Sequence, residues 1–504
     1  MESQFKRLAG HTSIYGLASV LNASLGFILT PLYARNLGPT DFGTVTLFTI
    51  TATFAATLFQ IGTGSAIFRS IIQREIDKKI VLSTAFYFTL VLIVPLLGIF
   101  LLLSPSLSKL LFNTLPDRSL LLWLAFITAA CDAVVTIPQA KLRIEERSIL
   151  YSLLASGNFL LGVALNIYFV VGVHMGIRGI ILANLLRAGT YCFVSILILI
   201  PDLRPIFSFT EVKELMRFGV PLIPISIAAL ILSVADRYFL QFYSSLTEVG
   251  IYSVGYKLGS VLQLPIGAFQ IAWPTIMFAV YKTPQAKNFY SRLLTYFCLS
   301  LGFLSLFIAV FAREAIHLIA TPEYSSAWQI VPFVALSQVA LGILYATAVG
   351  INVKRRPEHI LLAWFTGVSV HIVLNFILIP RYGMMGAALS TLVGYCIVAV
   401  VATMVSLRLY DIPYQYKRLF KLAIAITLVY SCNLLIPGEY FGVKSILKLM
   451  LLGAFPLILW AIGFFNQNEI ALVKSTLHFP TRQPSTEPSA AKAGSSEKDP
   501  THRS

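Results

Sequence analysis

The sequence predicts an all-α polytopic membrane protein, and three observations lead to that fold class. Hydrophobic residues make up 57% of the 504 positions and charged residues only 12%, whereas a soluble domain carries about 25% charged residues. Fourteen apolar stretches are each long enough to cross a bilayer as a helix, which takes about 20 residues. Lysine and arginine gather in alternate connections between these stretches, as they do on the cytoplasmic side of membrane proteins.

The fourteen predicted spans follow one another with short connections. They cover residues 12–34, 42–68, 81–104, 119–138, 149–172, 180–201, 217–240, 249–280, 291–312, 326–351, 358–380, 383–407, 418–436 and 444–465. The start of the chain and every second connection hold 22 basic residues, and the opposite side holds nine. This bias predicts that both termini are cytoplasmic. The polar segment 467–504 is rich in Pro, Ser and Ala, and we expect a disordered cytoplasmic tail.

The net charge of +16 does not indicate a nucleic-acid partner. The basic residues lie in short clusters between apolar runs and form no continuous basic face, and their asymmetric placement in a membrane protein accounts for the excess. The five cysteines all fall within apolar runs and form no C-x-x-C pair. The sequence therefore predicts neither a disulfide framework nor a metal site. It also lacks a P-loop motif, so it gives no sign of ATP use.

An internal repeat relates the first six spans to the next six. Four matches recur in order at offsets of 207 to 209: Asp41–Gly43 with Glu248–Gly250, Arg147 with Arg356, Leu165–Asn166 with Leu374–Asn375, and Gly176 with Gly383. An even number of spans separates matched positions, so the halves have the same orientation and form a parallel repeat. The predicted units are an N-lobe at 1–205, a C-lobe at 206–410, two additional spans at 411–466 and the tail at 467–504.

Three stretches of the chain carry a family resemblance. They are YARNLGPTDFG at 33–43, DRYFL at 236–240 and LNFILIPRYGMMGAA at 374–388. They resemble the polysaccharide-type flippases of the MOP superfamily, which also contains the MATE exporters, and the likeness covers roughly residues 10–410. The additional spans at 411–466 also occur in the lipid II flippase branch.

The resemblance implies a function without catalysis. Two lobes would alternate between the faces of the cytoplasmic membrane and carry a polyprenyl-pyrophosphate-linked oligosaccharide, such as an O-antigen or exopolysaccharide repeat unit, to the outer leaflet. The implied partners are this lipid-linked oligosaccharide, the surrounding membrane lipids and, as candidates, a glycan polymerase or glycosyltransferases. No cofactor is implied beyond a proton or sodium gradient as the candidate driving force.

Four basic residues are candidates for binding the pyrophosphate. Arg187, Arg237 and Lys257 lie within predicted spans, in the outer half of the membrane. Ionisable side chains are costly there and mark functional sites, and an arginine fork matches phosphate oxygens. Arg69 closes the span 42–68 at its cytoplasmic end, where an incoming head group would meet it. The structural alternatives are that Arg237 snorkels to the interface and that Arg69 is a positive-inside anchor.

Two acids are candidates for coupling transport to the ion gradient. Asp132 lies in the middle of the span 119–138 and is the most isolated acid, while Asp236 lies beside Arg237. Protonation would remove the burial cost of such a carboxylate. Alternatively, Asp132 is neutral and hydrogen-bonded, and Asp236 pairs with Lys257 to hold two neighbouring spans together. His371 is a weaker candidate, because a buried neutral histidine is the commoner situation.

Other functions fit the sequence less well. A lipid II-type flippase would use the same chemistry and stays an alternative. A cation-coupled MATE-type exporter usually has an acid in its first helix, and 12–34 has none. A membrane glycosyltransferase or polymerase needs carboxylates or arginines held in a sizeable outer loop beside the donor, whereas the longest outer loop is only about residues 105–118 and has Asp117 as its only acid. A scaffold that transports nothing would not need polar residues inside many spans.

Overall fold

The computed structural model describes residues 24–60, 62–112, 117–435 and 441–465. Within these ranges the chain is almost entirely helical and contains no strand. By length and composition, ten helical segments of the described residues are able to cross a membrane. The prediction of an all-α polytopic membrane protein is therefore confirmed.

The N-terminal half is a series of helices with short connections. These are α1 (24–36), α2 (Pro39–Gln60), α3 (Thr63–Gln73), α4 (Lys78–Phe112), α5 (Asp117–Ile144), α6 (Ser148–Asn166) and α7 (Gly176–Leu199). The predicted span 42–68 is interrupted, because Gly62 has a φ of +63°. Glycine adopts this left-handed conformation without a Cβ penalty. As a result α3, which carries Arg69, is a separate helix.

The C-terminal half repeats this arrangement with more breaks. Its helices are α8 (Phe209–Gly219), α9 (Ile223–Tyr243), α10 (Leu246–Gly259), α11 (Gln263–Val280), α12 (Ala286–Val310), α13 (Ala312–Ile319), α14 (Val331–Thr347), α15 (Val349–Val353) and α16 (Glu358–Leu409). Pro221 lies in the 3₁₀ turn between α8 and α9, where its missing amide donor interrupts the helical ladder. Within α16, Gly383 has a φ of +52°, so α16 consists of two helices joined at a sharp bend.

The predicted count of fourteen spans stays a prediction. The bend at Gly383 lies at the first residue of the predicted span 383–407, where that span follows 358–380. Two further helices follow, α17 (Tyr416–Leu434) and α18 (Phe441–Ala461). The predicted span 12–34 is described only from residue 24 onward, and the predicted tail 467–504 lies outside the described residues.

The two halves meet at residues that the repeat makes equivalent. The Thr40 and Thr247 hydroxyl oxygens, 207 positions apart, lie 2.8 Å from each other. A Cβ built on Gly43 would lie 3.0 Å from the amide nitrogen of Gly250, and one built on Gly250 would lie 3.1 Å from that of Gly43. Residues related by a two-fold axis contact their own equivalents where they lie on that axis. Consequently α2 and α10 cross at a pseudo-two-fold axis; the lobe boundaries at 205 and 410 stay predictions.

The last two helices pack on the C-terminal half. Apolar residues of α17 and α18 form a buried cluster with α12, in which Phe455 and Val429 are essentially inaccessible. Lys448 of α18 is buried and donates to a carboxylate oxygen of Glu314 at 2.7 Å and to the Val310 carbonyl oxygen at 2.8 Å. Apolar packing and an ion pair thus hold α18 against the C-terminal half.

Candidate functional site

A cavity of about 720 Å³ lies between the two halves, within the range of about 300–1,000 Å³ in which proteins bind small ligands. We refer to it as the central cavity. Its lining comes from α1, α2 and α7 on one side and from α9, α10, α11 and the turn between the last two on the other. Arg237 and Lys257 are part of this lining, and no acidic residue is among the described residues that line it.

Lys257 extends into the central cavity from the last turn of α10. Its side chain is exposed there, and its Nζ lies 5.6 Å from the centroid of the Phe27 ring. A Cβ at Gly26 would lie 3.1 Å from this Nζ, so the glycine leaves room for the ammonium group. Within the described part of the chain, the Lys257 ammonium group contacts the Phe27 ring and forms neither a hydrogen bond nor an ion pair. The predicted alternative in which Asp236 pairs with Lys257 is wrong.

Asp236 pairs instead with its neighbour Arg237. An Arg237 nitrogen lies 2.6 Å from Asp236 Oδ1, and both side chains are buried. The other carboxylate oxygen accepts hydrogen bonds from the hydroxyls of Tyr252 and of Thr391 on α16. The guanidinium carbon lies 3.8 Å from the centroid of the Tyr256 ring. Since this network fixes Arg237 at the cavity wall, the alternative in which Arg237 snorkels to the interface is also wrong.

Asp132 and Arg187 belong to a second cavity, which lies within the N-terminal half. Arg187 donates to both carboxylate oxygens of Asp132, at 3.1 and 3.3 Å, and to the amide oxygen of Asn158 at 2.9 Å. The prediction that Asp132 is the most isolated acid is therefore wrong. The pair joins α5 to α7, and its residues lie 55 positions apart in the sequence. A local sequence pattern cannot indicate a pairing over such a separation.

This second cavity, which we call the side pocket, has a volume of about 340 Å³. Its lining residues are Leu25, Asp132, Val135, Gln139, Asn158, Asn184, Arg187 and Tyr191. Leu25 and Asn184 also line the central cavity, so the two spaces adjoin. The predicted cluster of three cations is thus divided, with Arg237 and Lys257 at one cavity and a charge-paired Arg187 at the other.

Arg69 lies away from both cavities. It is exposed on α3, and its guanidinium carbon lies 4.8 Å from the centroid of the Phe218 ring. The adjacent contact between Arg74 and Glu211, at 3.1 Å, also joins α3 to α8. Arg69 is therefore placed at a junction between the two halves of the chain.

His371 belongs to a buried polar cluster near Asp236. Its Nε2 lies 3.1 Å from the side-chain nitrogen of Asn375, and the Asn375 oxygen accepts a hydrogen bond from Ser390. These three side chains are fully buried. Ser390 precedes Thr391, which contacts Asp236. Within the described ranges no group of acids, histidines and cysteines is suited to hold a metal ion.

Several contributors to the two cavities were not predicted from the sequence. Tyr252 and Tyr256, one helical turn apart on α10, bracket Arg237 with their rings. Gln139 donates to the Tyr191 hydroxyl at 3.0 Å across α5 and α7. The spacing of the two tyrosines is a signal that could have been noticed, but the pairing of Gln139 with Tyr191 depends on tertiary packing.

Comparison with known proteins gives a family and a fold. The profile of the polysaccharide biosynthesis protein family matches residues 8–278, which is more than half of the chain. The uncharacterized membrane protein MJ1068 of Methanocaldococcus jannaschii is 26% identical over 207 residues, and these represent 38% of this chain and 39% of that protein. The match thus spans about two-fifths of the relative's length.

Two solved structures share the fold. The lipid II flippase MurJ, in an inward closed conformation, has a TM-score of 0.72 at 14% identity, covering 88% of this chain and 98% of its own. An inward-facing multidrug resistance MATE family transporter of the MOP superfamily has a TM-score of 0.61 at 17% identity, covering 79% of this chain and 95% of its own. The MATE-like architecture predicted from the sequence is confirmed. Because the family profile matches more than half of the chain, the chain belongs to the polysaccharide biosynthesis protein family, and it shares its fold with the solved MurJ and MATE structures.

Proposed function

We propose that this protein carries a polyprenyl-pyrophosphate-linked oligosaccharide from the cytoplasmic to the outer leaflet of the cell membrane, with both of its termini in the cytoplasm and fourteen spans. The observation that supports this most is Lys257, a cation without a counter-ion among the described residues, in a cavity between two halves of a flippase fold. A pyrophosphate is the part of such a cargo that most needs a cation inside a membrane.

The electrostatics of the central cavity favour an anion. A lysine held without a counter-ion in a low-dielectric space is costly by itself, and an entering pyrophosphate would offset that cost. Arg237 adds a second cation at the wall, but its charge is partly balanced by Asp236, 2.6 Å away. We therefore assign the main contact to Lys257 and a supporting contact to Arg237. Arg187 is charge-paired in the side pocket, and Arg69 stays a candidate for the first encounter.

Transport requires that the two halves separate where they now touch. The crossing of α2 and α10 at Gly43 and Gly250 is the contact that would open on the predicted outer side. We propose that a proton or sodium gradient drives this cycle. The candidate acids Asp132 and Asp236 both have an arginine partner, so coupling through either one requires its ion pair to loosen.

The alternative cargo is lipid II, which is also a polyprenyl pyrophosphate. The solved lipid II flippase matches 88% of this chain, and α17 and α18 lie beyond the repeat, as the two extra helices of that branch do. Either cargo would present the same pyrophosphate to Lys257. A cationic drug, by contrast, would meet an uncompensated positive charge, which disfavours it.

Purified protein in proteoliposomes tests the proposal with a fluorescent polyprenyl-pyrophosphate oligosaccharide. We expect the wild type to move it between leaflets and Lys257→Ala to slow it by about 10- to 1000-fold, because a unit charge 4 Å from an anion contributes about 4 kcal/mol at an effective dielectric constant near 20. Lys257→Arg keeps the charge and should retain most activity. Lys282→Ala removes an exposed lysine between α11 and α12 and is the control. An inactive wild type, or a fully active Lys257→Ala, would contradict the proposal.

A further inference from the structure

We propose that the side pocket is a glycan subsite, which takes uncharged sugar residues of the cargo while the central cavity holds the pyrophosphate. This inference rests on the proposed function and assigns a role to residues of the N-terminal half. Four features of the pocket carry it: the chemistry of its lining, its charge balance, its position next to the central cavity, and the close packing of the equivalent positions in the C-terminal half.

The lining chemistry suits hydroxyl groups. The polar residues of the side pocket are Asp132, Gln139, Asn158, Asn184, Arg187 and Tyr191. Carboxylate, amide and guanidinium groups are planar and combine several donors and acceptors, so neighbouring hydroxyls of a sugar can be bound in pairs. Tyr191 adds a hydroxyl together with an aromatic ring. Only Leu25 and Val135 are apolar among the described residues that line the pocket, and the space is therefore unsuited to a lipid chain.

The charge balance excludes the pyrophosphate from this space. Arg187 and Asp132 are 3.1 Å apart and contribute no net charge to the lining. A pyrophosphate would bring its own charge close to the Asp132 carboxylate, and like charges at such range repel. The Asp132 side chain nevertheless remains 38% exposed, which leaves part of its acceptor capacity available. Neutral groups that donate hydrogen bonds are therefore the ligands of choice.

The position of the side pocket matches a cargo that has two chemically different parts. Leu25 lines both spaces, and its neighbour Gly26 lies against Lys257. Asn184 also lines both. A head group with its pyrophosphate at Lys257 can therefore extend its sugars past α1 into the side pocket without leaving the protein.

The C-terminal half is closely packed at the positions equivalent to Arg187 and Asn158. By the repeat offsets, Arg187 corresponds to Gly394 and Asn158 to Gly367. A Cβ on Gly367 would lie 2.8 Å from the Gly394 carbonyl oxygen and 2.2 Å from a methyl carbon of Val398. The two parts of α16 are thus in direct backbone contact where α6 and α7 are held apart by an arginine and an asparagine. The pocket is a property of particular side chains rather than of the shared six-helix arrangement.

Two cargoes in proteoliposomes test this subsite. One is a polyprenyl pyrophosphate bearing a single sugar, and the other is the same lipid bearing a neutral tetrasaccharide. The variant is Gln139→Leu/Tyr191→Phe, which removes both groups of a 3.0 Å hydrogen bond and so leaves no buried group without its partner. The matched control is Thr347→Val/Thr403→Val, which removes a 2.7 Å hydroxyl pair between α14 and α16. Unchanged elution and thermal unfolding establish that each variant is folded.

We expect the pocket variant to slow the tetrasaccharide lipid by about tenfold relative to the single-sugar lipid, as for the loss of about 1.4 kcal/mol of binding. The control variant should leave this ratio unchanged, and Lys257→Ala should slow both cargoes.

A pocket variant that slows both equally, or neither, overturns the subsite while the proposed function stands. A wild type that moves only the single-sugar lipid also overturns it. If the wild type moves only the tetrasaccharide lipid, an unchanged rate in the variant overturns it. A wild type that moves neither refutes the proposed function itself.

Discussion

At the scale of the residue, the two cavities differ in how their charges are compensated. Lys257 has no charged partner among the described residues and contacts the Phe27 ring. Arg187 pairs with Asp132, whose side chain is partly exposed, and Arg237 is enclosed with Asp236 and two tyrosine rings. Removing one member of an enclosed ion pair leaves a buried charge behind, which costs far more than losing an exposed pair. We therefore expect substitutions of the three cations to affect stability and transport to different degrees.

The enclosed pair gives the clearest prediction on stability. Asp236→Ala leaves Arg237 charged and only 4% exposed, and we expect a loss of about 3–5 kcal/mol in the free energy of unfolding. Asp236→Leu/Arg237→Met replaces both charges with apolar groups and should recover most of that loss. Reversible unfolding in detergent, followed by tryptophan fluorescence, measures both variants. A single variant as stable as the wild type, or a double variant no better than the single one, would contradict this account.

At the scale of the element, the crossing of α2 and α10 brings the backbones of the two halves into close contact. A Cβ at Gly43 would lie 2.1 Å from the Leu246 carbonyl oxygen, and one at Gly250 would lie 1.9 Å from the Pro39 carbonyl oxygen. Atoms cannot approach so closely, so any larger residue must push the helices apart. The adjacent Thr40 and Thr247 hydroxyls, 2.8 Å apart, mark the place where a covalent link between the halves can be introduced.

A disulfide between Thr40→Cys and Thr247→Cys, in a background without the native cysteines, tests whether this crossing must open. We expect it to form under mild oxidation, because the parent hydroxyls are in contact, and to stop transport until a reductant is added. Adding Gly43→Val should reduce the yield of the disulfide by separating the helices. The single Thr40→Cys variant controls for oxidation elsewhere. Full transport by the cross-linked protein would show that the halves need not separate here.

At the scale of the whole molecule, the sequence was most informative where a pattern extends over many residues. Hydropathy and the alternation of basic connections predicted the membrane helices, and the 207-residue offset predicted the repeat. The contact of Thr40 with Thr247, which lie 207 positions apart, was not predicted and is seen only in the structure. The ion pairs could not be predicted in this way. Asp132 and Arg187 come together only because α5 and α7 are neighbours, and Arg237 reaches Asp236 by folding back along α9 toward the Ser233 carbonyl oxygen, 2.5 Å away. Neighbouring residues on a helix do not normally face each other.

The orientation of the molecule is a prediction at the same scale. Lys282, between α11 and α12, is exposed in a connection predicted to be cytoplasmic, and Glu323 is exposed in a connection predicted to be outside. In a cysteine-free background, a membrane-impermeant maleimide added to intact cells should label Glu323→Cys and should label Lys282→Cys only after lysis. This is expected because basic connections are retained on the cytoplasmic side. The opposite labelling would show that the proposed topology is inverted.

At the contact of Gly43 with Gly250, the residues of the two halves must remain matched. At other equivalent positions the two halves are free to differ. At the axis Gly43 and Gly250 are neighbours, so a larger residue at either position would clash with the backbone of the other half. Away from the axis this reciprocity ends, and Arg187 can stand in one half where Gly394 stands in the other. A symmetric dimer of identical halves could not make that distinction, because each substitution would appear twice. In a single chain, the junction can stay symmetric while one half alone acquires selectivity for a cargo.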